Sequence, residues 1–247
     1  TLGSDPTHLT PGASELFFVA DDGVDGSQLW KTDGTADGTT KVSSFSTGIS
    51  GPGIDNLTWF HDRMYFIADD GTSGTELWSS DGTQSSQVAD LCTESCGSDP
   101  SGLTVVGDAL YFAANDGTHG RELWRLDGST QISSLVADLR PGPLDGVGSR
   151  DLGTRNPFVA ADGGDGFLYF TGWADLGYGA GSFGLWRTDG STSACMPDGS
   201  GTCKITTTFT NYDDPSQGSE IHAITAIGGT VYFTARDTND FNPWSTY

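Results

Sequence analysis

The chain has few basic residues for its size. Its 247 residues include 11 Lys and Arg against 33 Asp and Glu, which gives a net charge of −22. The phosphates of nucleic acids and the anionic headgroups of membranes are bound mainly through Lys and Arg. The charge balance therefore argues against both as partners, and it keeps the protein soluble and attracts cations.

Long apolar runs and helical periodicity are also lacking. No segment reaches the roughly 20 apolar residues of a transmembrane helix, and no stretch keeps a 3.6-residue hydrophobic period. A secretory leader is not evident at the first residues. Helical and membrane-inserted folds are therefore not expected.

Signatures of catalysis are missing as well. The chain contains no G-x-S-x-G, H-E-x-x-H or P-loop sequence. Its four histidines stand at different points of the repeat described below, so they do not converge on one position: His8, His61, His119 and His222. We predict that the protein is not an enzyme.

One phrase recurs along the chain: an aromatic pair, an Asp/Gly loop, Leu-Trp and Asp-Gly. It reads LFFVADDGVDGSQLWKTDGT from Leu16, MYFIADDGTSGTELWSSDGT from Met64 and LYFAANDGTHGRELWRLDGS from Leu110. A longer copy begins at Leu168 and a fifth begins at Val231. A period of this size indicates a repeat architecture.

Each repeat reads as four short strands bounded by turn residues. In the second repeat we predict strands at 56–60, 64–68, 75–79 and 87–91, each rich in aromatic and β-branched residues. Four strands in about 47 residues are typical of one β-propeller blade. A β-sandwich and a β-helix are the alternatives, but neither fits five copies of one motif at this period.

We therefore predict an all-β protein, a β-propeller of four-stranded blades forming a single domain. The approximate units are 1–48, 49–96, 97–140, 141–214 and 215–247. The fifth unit breaks off before its outer strands. Because a propeller must close, we expect these units to be part of a larger ring.

The motif residues have a structural interpretation in this fold. Aromatic side chains bury large apolar areas between blades, and an indole N–H can bond a carbonyl at the edge. Asp-Gly favours a tight turn, since Asp bonds its own backbone and Gly adopts positive φ. The four turns are Asp33-Gly34, Asp81-Gly82, Asp127-Gly128 and Asp189-Gly190.

The phrases ELWSSDGT from Glu76 and ELWRLDGS from Glu122 resemble the bacterial ELWxxDGT repeat. QLWKTDGTADGT from Gln28 differs by Gln for Glu, and GLWRTDGS from Gly184 is a weaker copy. The resemblance covers about four and a half units. It implies a propeller module of a large secreted or surface protein, and it implies no particular reaction.

The four cysteines form two local pairs in loops. Cys92 and Cys96 flank three residues, and Cys195 and Cys203 flank seven. In a chain that resembles secreted proteins, such spacing favours two disulfides, Cys92–Cys96 and Cys195–Cys203. A zinc site is the weaker alternative, because no His follows at zinc spacing.

Acidic loops follow the second strand of successive repeats. Carboxylates at alternate positions with Gly supply the hard oxygens and the bend that Ca²⁺ needs. Calcium is therefore a candidate cofactor, although no copy fits the full EF-hand pattern. The other interpretation is that Asp and Gly simply close the hairpin. The candidate ligands are Asp21, Asp22, Asp25, Asp69, Asp70 and Asp116.

The fourth repeat carries an aromatic insertion, Gly172–Gly184, whose candidate ligand-binding residues are Trp173, Tyr178 and Phe183. Aromatic side chains on a polar rim suit a sugar or a protein surface. We therefore expect a secreted or cell-surface, non-catalytic module for protein or glycan binding and adhesion. The alternative is a structural subunit of an extracellular filament, surface layer or larger complex, built from copies of itself.

Overall fold

The computed structural model describes residues 3–45, 52–93, 96–148, 160–177, 180–191, 201–205, 221–227, 230–235 and 245–246. All regular structure within these ranges is β-strand. The chain divides into two compact bodies, Thr1–Leu103 with Asn115–Gly117 and Thr104–Ala114 with Thr118–Tyr247. In the described residues, no helix is long and apolar enough to cross a membrane.

The strands form five consecutive antiparallel sheets. In chain order they are β1 (Thr7–Pro11), β2 (Leu16–Asp21), β3 (Ser27–Thr32), β4 (Thr40–Lys41); β5 (Asp55–Phe60), β6 (Arg63–Asp69), β7 (Thr75–Ser80), β8 (Ser85–Ala89); β9 (Ser101–Val106), β10 (Ala109–Asn115), β11 (Arg121–Asp127), β12 (Ser133–Ala137); β13 (Ala160–Asp162), β14 (Leu168–Gly177), β15 (Ala180–Thr188), β16 (Cys203–Lys204); and β17 (Ile221–Ile227), β18 (Thr230–Ala235), β19 (Ser245–Thr246).

Within each sheet the strands pair in sequence order. The first four sheets have four strands, and the described part of the fifth has three. Short loops can join consecutive antiparallel strands directly, so each repeat folds on itself as one meander. Successive four-stranded meanders are the blades of a β-propeller, which confirms the predicted fold class.

The first strand of a blade carries a bulge. Pairing of β1 with β2 is irregular between Thr7 and Thr10, and pairing of β5 with β6 is irregular between Asp55 and Thr58. Within these bulges His8 and Asn56 have positive φ, 54° and 55°. Such φ values are uncommon outside glycine, so the repeat extends to a local backbone distortion that the sequence pattern does not reveal.

Aromatic and aliphatic side chains form the core of the first body. Phe45, on the segment after β4, packs edge-on against Phe66 and Trp78 of the next blade at ring distances of 6.3 and 4.8 Å. Phe66 is fully buried, and a buried Phe side chain contributes about 1.5–3 kcal/mol. The other buried members are Phe17, Val19, Leu29, Val42, Ile54, Met64 and Ala68.

The second body has an equivalent core. Tyr111, Leu123, Val147, Leu168 and Phe170 are buried there together with Val106, Ala109, Ala113 and Val136. In each body, one residue from each of two successive aromatic pairs and a Leu of Leu-Trp therefore supply the core, as the motif predicts.

The motif tryptophans hold the second strand of their own blade. The indole N–H groups of Trp30, Trp78 and Trp186 donate to the carbonyls of Ala20, Ala68 and Gly172, each at 3.1 Å. The accepting residue always lies two positions after the second aromatic of the pair. The Nε1 atom of Trp124 is buried without a hydrogen-bond partner among the described residues.

The Asp-Gly pairs form the predicted turns. Asp33 Oδ1 accepts hydrogen bonds from the Thr35 N–H and hydroxyl at 2.9 and 2.7 Å. Asp81 accepts from the N–H groups of Thr83 and Gln84 at 2.8 and 3.0 Å. The side-chain bond from Thr35 and the backbone bonds at Asp81 lower the pKa of these carboxyls. Both carboxylates are therefore ionised at neutral pH and keep accepting the hydrogen bonds that close the turns.

The insertion of the fourth repeat extends two strands. Pairing of β14 with β15 runs from Leu168–Thr188 to Gly177–Ala180, whereas β2 and β6 end at the Asp/Gly loop. The insertion Gly172–Gly184 is therefore built into the two central strands of the fourth blade. Its residues continue the ladder because backbone pairing does not depend on the motif.

Three cysteines lie within the described residues, and all three are disulfide-bonded. Cys92 and Cys96 form a disulfide, which confirms the first predicted pair. Cys203 is also disulfide-bonded, and Cys195 lies outside the described residues.

Candidate functional site

A buried polar residue stands immediately before Leu-Trp in the first three blades. Gln28, Glu76 and Glu122 are each 0% exposed. Sequence reasoning missed their role, although a polar residue at a fixed point of an apolar strand is a readable signal. A buried carboxylate or amide needs hydrogen-bond partners, and each of these three side chains has partners on the segment that leaves its blade.

Gln28 uses both ends of its amide. Its Nε2 donates to the carbonyls of Asp25 and Phe45, both at 3.1 Å. Its Oε1 accepts from the Ser43 hydroxyl at 2.8 Å and from the Phe45 N–H at 3.0 Å. The side chain therefore ties the loop before β3 to the segment after β4.

Glu76 binds the corresponding segment of the second blade. Its Oε1 accepts the Ser98 N–H at 2.6 Å, and its Oε2 accepts the Ser98 hydroxyl. Burial raises the pKa of Glu76 to about 7; the Asp90 carboxylate adds to this, and the hydrogen bonds from Ser98 and from the Leu91 N–H oppose it.

Glu122 makes the same kind of contact in the second body. It accepts the N–H groups of Leu139 at 3.0 Å and Arg140 at 3.4 Å. Burial raises its pKa to about 8, against the opposing backbone bonds. A Cβ on Gly146 would collide with its carboxylate, so the segment approaches it closely. These contacts explain the Glu of the repeat as a scaffold residue.

Glu122 should make stability depend on pH. A carboxyl whose pKa is raised on folding stabilises the folded state fully below its unfolded pKa, and this contribution is lost as pH rises through the folded value. The free energy of unfolding of the wild type should therefore fall by on the order of 3 kcal/mol between pH 5 and pH 8. We expect this fall to be absent in Glu122→Gln. Urea unfolding at several pH values measures it. Asp37→Asn, at an exposed carboxylate, is the control, and parallel curves for wild type and Glu122→Gln would contradict the prediction.

The acidic loops after the second strands use their carboxylates to close turns. Asp21 and Asp69 each accept the N–H of the residue two positions later, at 2.7 Å. Asp162, in the loop between β13 and β14, makes the same contact at 2.8 Å. Asp70 accepts the N–H groups of Thr72 and Ser73, both at 2.8 Å. At these positions, the Asp side chains therefore close the hairpin, as one of the two interpretations of the sequence predicted.

In the first of these loops, two carboxylates form salt bridges with a lysine side chain. Lys41 Nζ lies 2.9 Å from Asp22 Oδ2 and 2.9 Å from Asp25 Oδ2. The hydrogen bonds to Asp25 and Asp22 raise the pKa of Lys41, so the ammonium stays charged. Asp116 lies in the corresponding loop of the third repeat. Among the described residues, no three His, Cys, Asp or Glu side chains form a metal-sized group, and calcium binding stays a prediction.

The aromatic extension of the fourth blade contains Trp173. Trp173 pairs in register with Phe183, and its backbone N–H donates to the Gly146 carbonyl at 2.6 Å. The Arg140 guanidinium lies 4.1 Å from the Trp173 ring centroid. Tyr178 falls outside the described residues. The extension thus brings together a half-buried aromatic ring and a cation, a pairing that also serves recognition surfaces.

Solved structures confirm the architecture. The chain is similar to the β-propeller domain of the Trilobed protease from Pyrococcus furiosus, which is described as having an open velcro topology, at 15% identity and a TM-score of 0.50. It is also similar to a puromycin-hydrolyzing peptidase of Mycobacterium tuberculosis, at 11% identity and a TM-score of 0.50.

These likenesses extend over most of this chain. They cover 93% of it and 64% of the Pyrococcus domain, and 95% of it and 34% of the peptidase. No family model and no curated protein matches the sequence. The fold class is thus that of a β-propeller module.

Proposed function

We propose that the chain is a non-catalytic propeller module of a secreted or cell-surface protein, and that it binds a protein or glycan partner. The observation that carries the proposal is that the motif residues stabilise the blades. The Trp, the Glu or Gln and the Asp-Gly are occupied by contacts inside the scaffold. Residues that depart from the repeat are left for recognition.

Three further features support this proposal. The Cys92–Cys96 disulfide suits an oxidising compartment. The resemblance of Glu76–Thr83 to the ELWxxDGT repeat points to surface and secreted proteins. The charge of −22 disfavours nucleic acid and anionic membranes as partners.

The extension of the fourth blade is the first surface to test. We expect Trp173→Ala to weaken binding at least about tenfold, because aromatic anchors dominate interface energies. Glycan arrays and pull-down from surface-protein extracts, followed by titration of any ligand found, measure this. Tyr232→Ala is the control, since Tyr232 is 49% exposed on another blade. Equal loss in both variants would contradict a role specific to the extension.

The second candidate is an assembly subunit. The last sheet exposes Ile227 (67%) and Tyr232 (49%), and apolar residues on a sheet favour association. Light scattering after gel filtration, in EDTA and in about 5 mM calcium, which exceeds the Kd of weak extracellular sites, tests it. A shift to large species in calcium supports assembly and a calcium cofactor, whereas a monomer in both conditions favours the binding module.

A further inference from the structure

A cleft of about 560 Å³ lies between the first and second blades, within the first body. One wall is the segment from Lys41 to Phe45, and the other is formed by the loop at Asp70 and Thr72, by Trp78 and by the turn Thr83–Ser85. Ligand pockets in proteins measure about 300–1,000 Å³, so the cleft can hold a small ligand.

The lining of the cleft is partly apolar, and contacts between the two blades hold it together. Phe45 packs edge-on against Trp78 at 4.8 Å, and the Ser85 hydroxyl donates to the Val42 carbonyl at 2.8 Å across the two blades. The indole N–H of Trp78 is held by Ala68. A ring fixed in this way offers an apolar surface whose position does not depend on the ligand.

The polar groups that line the cleft include both hydrogen-bond donors and hydrogen-bond acceptors. Lys41 has three N–H donors, and two of them are directed at Asp22 and Asp25. Asp70 Oδ1 accepts two backbone bonds at 2.8 Å, and its Oδ2 accepts a longer bond, 3.4 Å, from the Ser73 hydroxyl. The backbone N–H groups at Asp70 outweigh its burial and lower its pKa, so it is an ionised acceptor.

The turn adds groups that the scaffold does not use. Thr83 and Gln84 bond Asp81 through their backbone N–H groups, and their exposed side chains make no hydrogen bond within the described residues. A Gln amide supplies both donors and an acceptor. The edge of the cleft can therefore donate hydrogen bonds to the hydroxyl groups of a ligand and also accept hydrogen bonds from them.

The repeat itself shows that the lining is not required by the fold. The residue paired with the motif Trp is Lys41 in the first blade, Gln87 in the second, Leu135 in the third and Lys204 in the fourth. The Trp is the same in all four. A lysine therefore occupies this position in two of the four blades, so the architecture does not require it.

The charges define the ligand class. Asp22 and Asp25 bind the Lys41 ammonium, Asp70 lines the same cleft, and the whole chain is strongly acidic, so an anionic ligand is repelled. Donors and acceptors that line the same cleft as an aromatic ring match a sugar ring, which has hydroxyls at its edge and C–H groups on its face. We propose that this cleft is a binding site for the end of a neutral glycan, which rests on the proposed binding function and specifies its ligand.

The test uses calorimetric titration of the full chain with neutral disaccharides (cellobiose, lactose, chitobiose) and with glucuronic and galacturonic acids. We expect at least one neutral sugar to bind and the two acids to bind more weakly. The double variant Thr83→Ala/Gln84→Ala should weaken binding about fivefold to tenfold through lost hydrogen bonds. Both residues are exposed, so folding is unaffected. Ser86→Ala, on β8 just after this turn and outside the cleft, should bind as wild type.

The alternative results separate this inference from the broader function. If neutral sugars still bind the double variant but no longer bind Trp173→Ala, the cleft is not the sugar site. That result would still support the proposal that the chain is a glycan-binding module. Preferential binding of the acids overturns the ligand class. Failure of every sugar overturns the inference, while a protein partner that depends on Trp173 would still support the proposed function.

Discussion

Gln28→Glu is expected to lower the free energy of unfolding by about 3 kcal/mol or more at pH 8. The Gln28 amide N–H groups donate to the carbonyls of Asp25 and Phe45. An ionised carboxylate has no donor, so both carbonyls would lose their partner and face a buried negative charge. The substitution changes the shape of the side chain very little, so the effect isolates hydrogen bonding and charge.

The loss should depend on pH in a defined direction. Burial raises the pKa of the carboxyl introduced at position 28, as it does at Glu76. A protonated carboxyl restores one donor, so the variant is least damaged in mild acid and loses stability as pH rises through its folded pKa. Urea unfolding from pH 5 to pH 8 measures this.

The reverse exchange in the second blade is the matched control for this prediction. Glu76→Gln should cost less, about 1 kcal/mol, because the Ser98 hydroxyl that now donates to Glu76 can rotate and accept instead. Equal stability of Gln28→Glu and wild type at pH 8 would show that the amide donor is unimportant.

Gly120→Ala is expected to destabilise the second body by about 3–5 kcal/mol. Gly120 has φ +71°, and a Cβ there would lie 2.5 Å from the Leu144 carbonyl oxygen and 2.6 Å from its carbon. The left-handed conformation alone costs an L-residue about 1–2 kcal/mol. The collision adds to it, because backbone atoms cannot move aside as a flexible side chain can.

Gly23→Ala separates the two contributions. Gly23 has a similar φ of +79°, and an added Cβ would meet nothing within 4 Å in the described part of the chain. We expect a loss of about 1 kcal/mol there, measured by the same urea unfolding. If the two substitutions destabilise equally, the close approach of Gly120 to Leu144 is not the cause.

Local signals predicted the strands well where turn chemistry bounds them. In the second repeat, the predicted strand 64–68 is β6 (Arg63–Asp69) and 75–79 is β7 (Thr75–Ser80). The outer strand was predicted at 87–91 and lies at Ser85–Ala89. It begins early because the turn at Asp81 places Ser85 opposite Ser80, and it ends early because the Leu91 N–H bonds Glu76.

The amino-acid sequence by itself determined the features that depend on neighbouring residues. These are the repeat, the all-β blades, the Asp-Gly turns and the Cys92–Cys96 disulfide. All of them follow from local backbone preferences or from short spacing, which a linear pattern records.

Only the tertiary structure decided the role of the buried Gln28, Glu76 and Glu122, the extension of β14 and β15, and the cleft between the first two blades. Each depends on groups that are far apart in sequence and meet only after the blades have packed. Sequence shows that a polar side chain is present, but the burial that raises a pKa and the partners that satisfy it are properties of the fold.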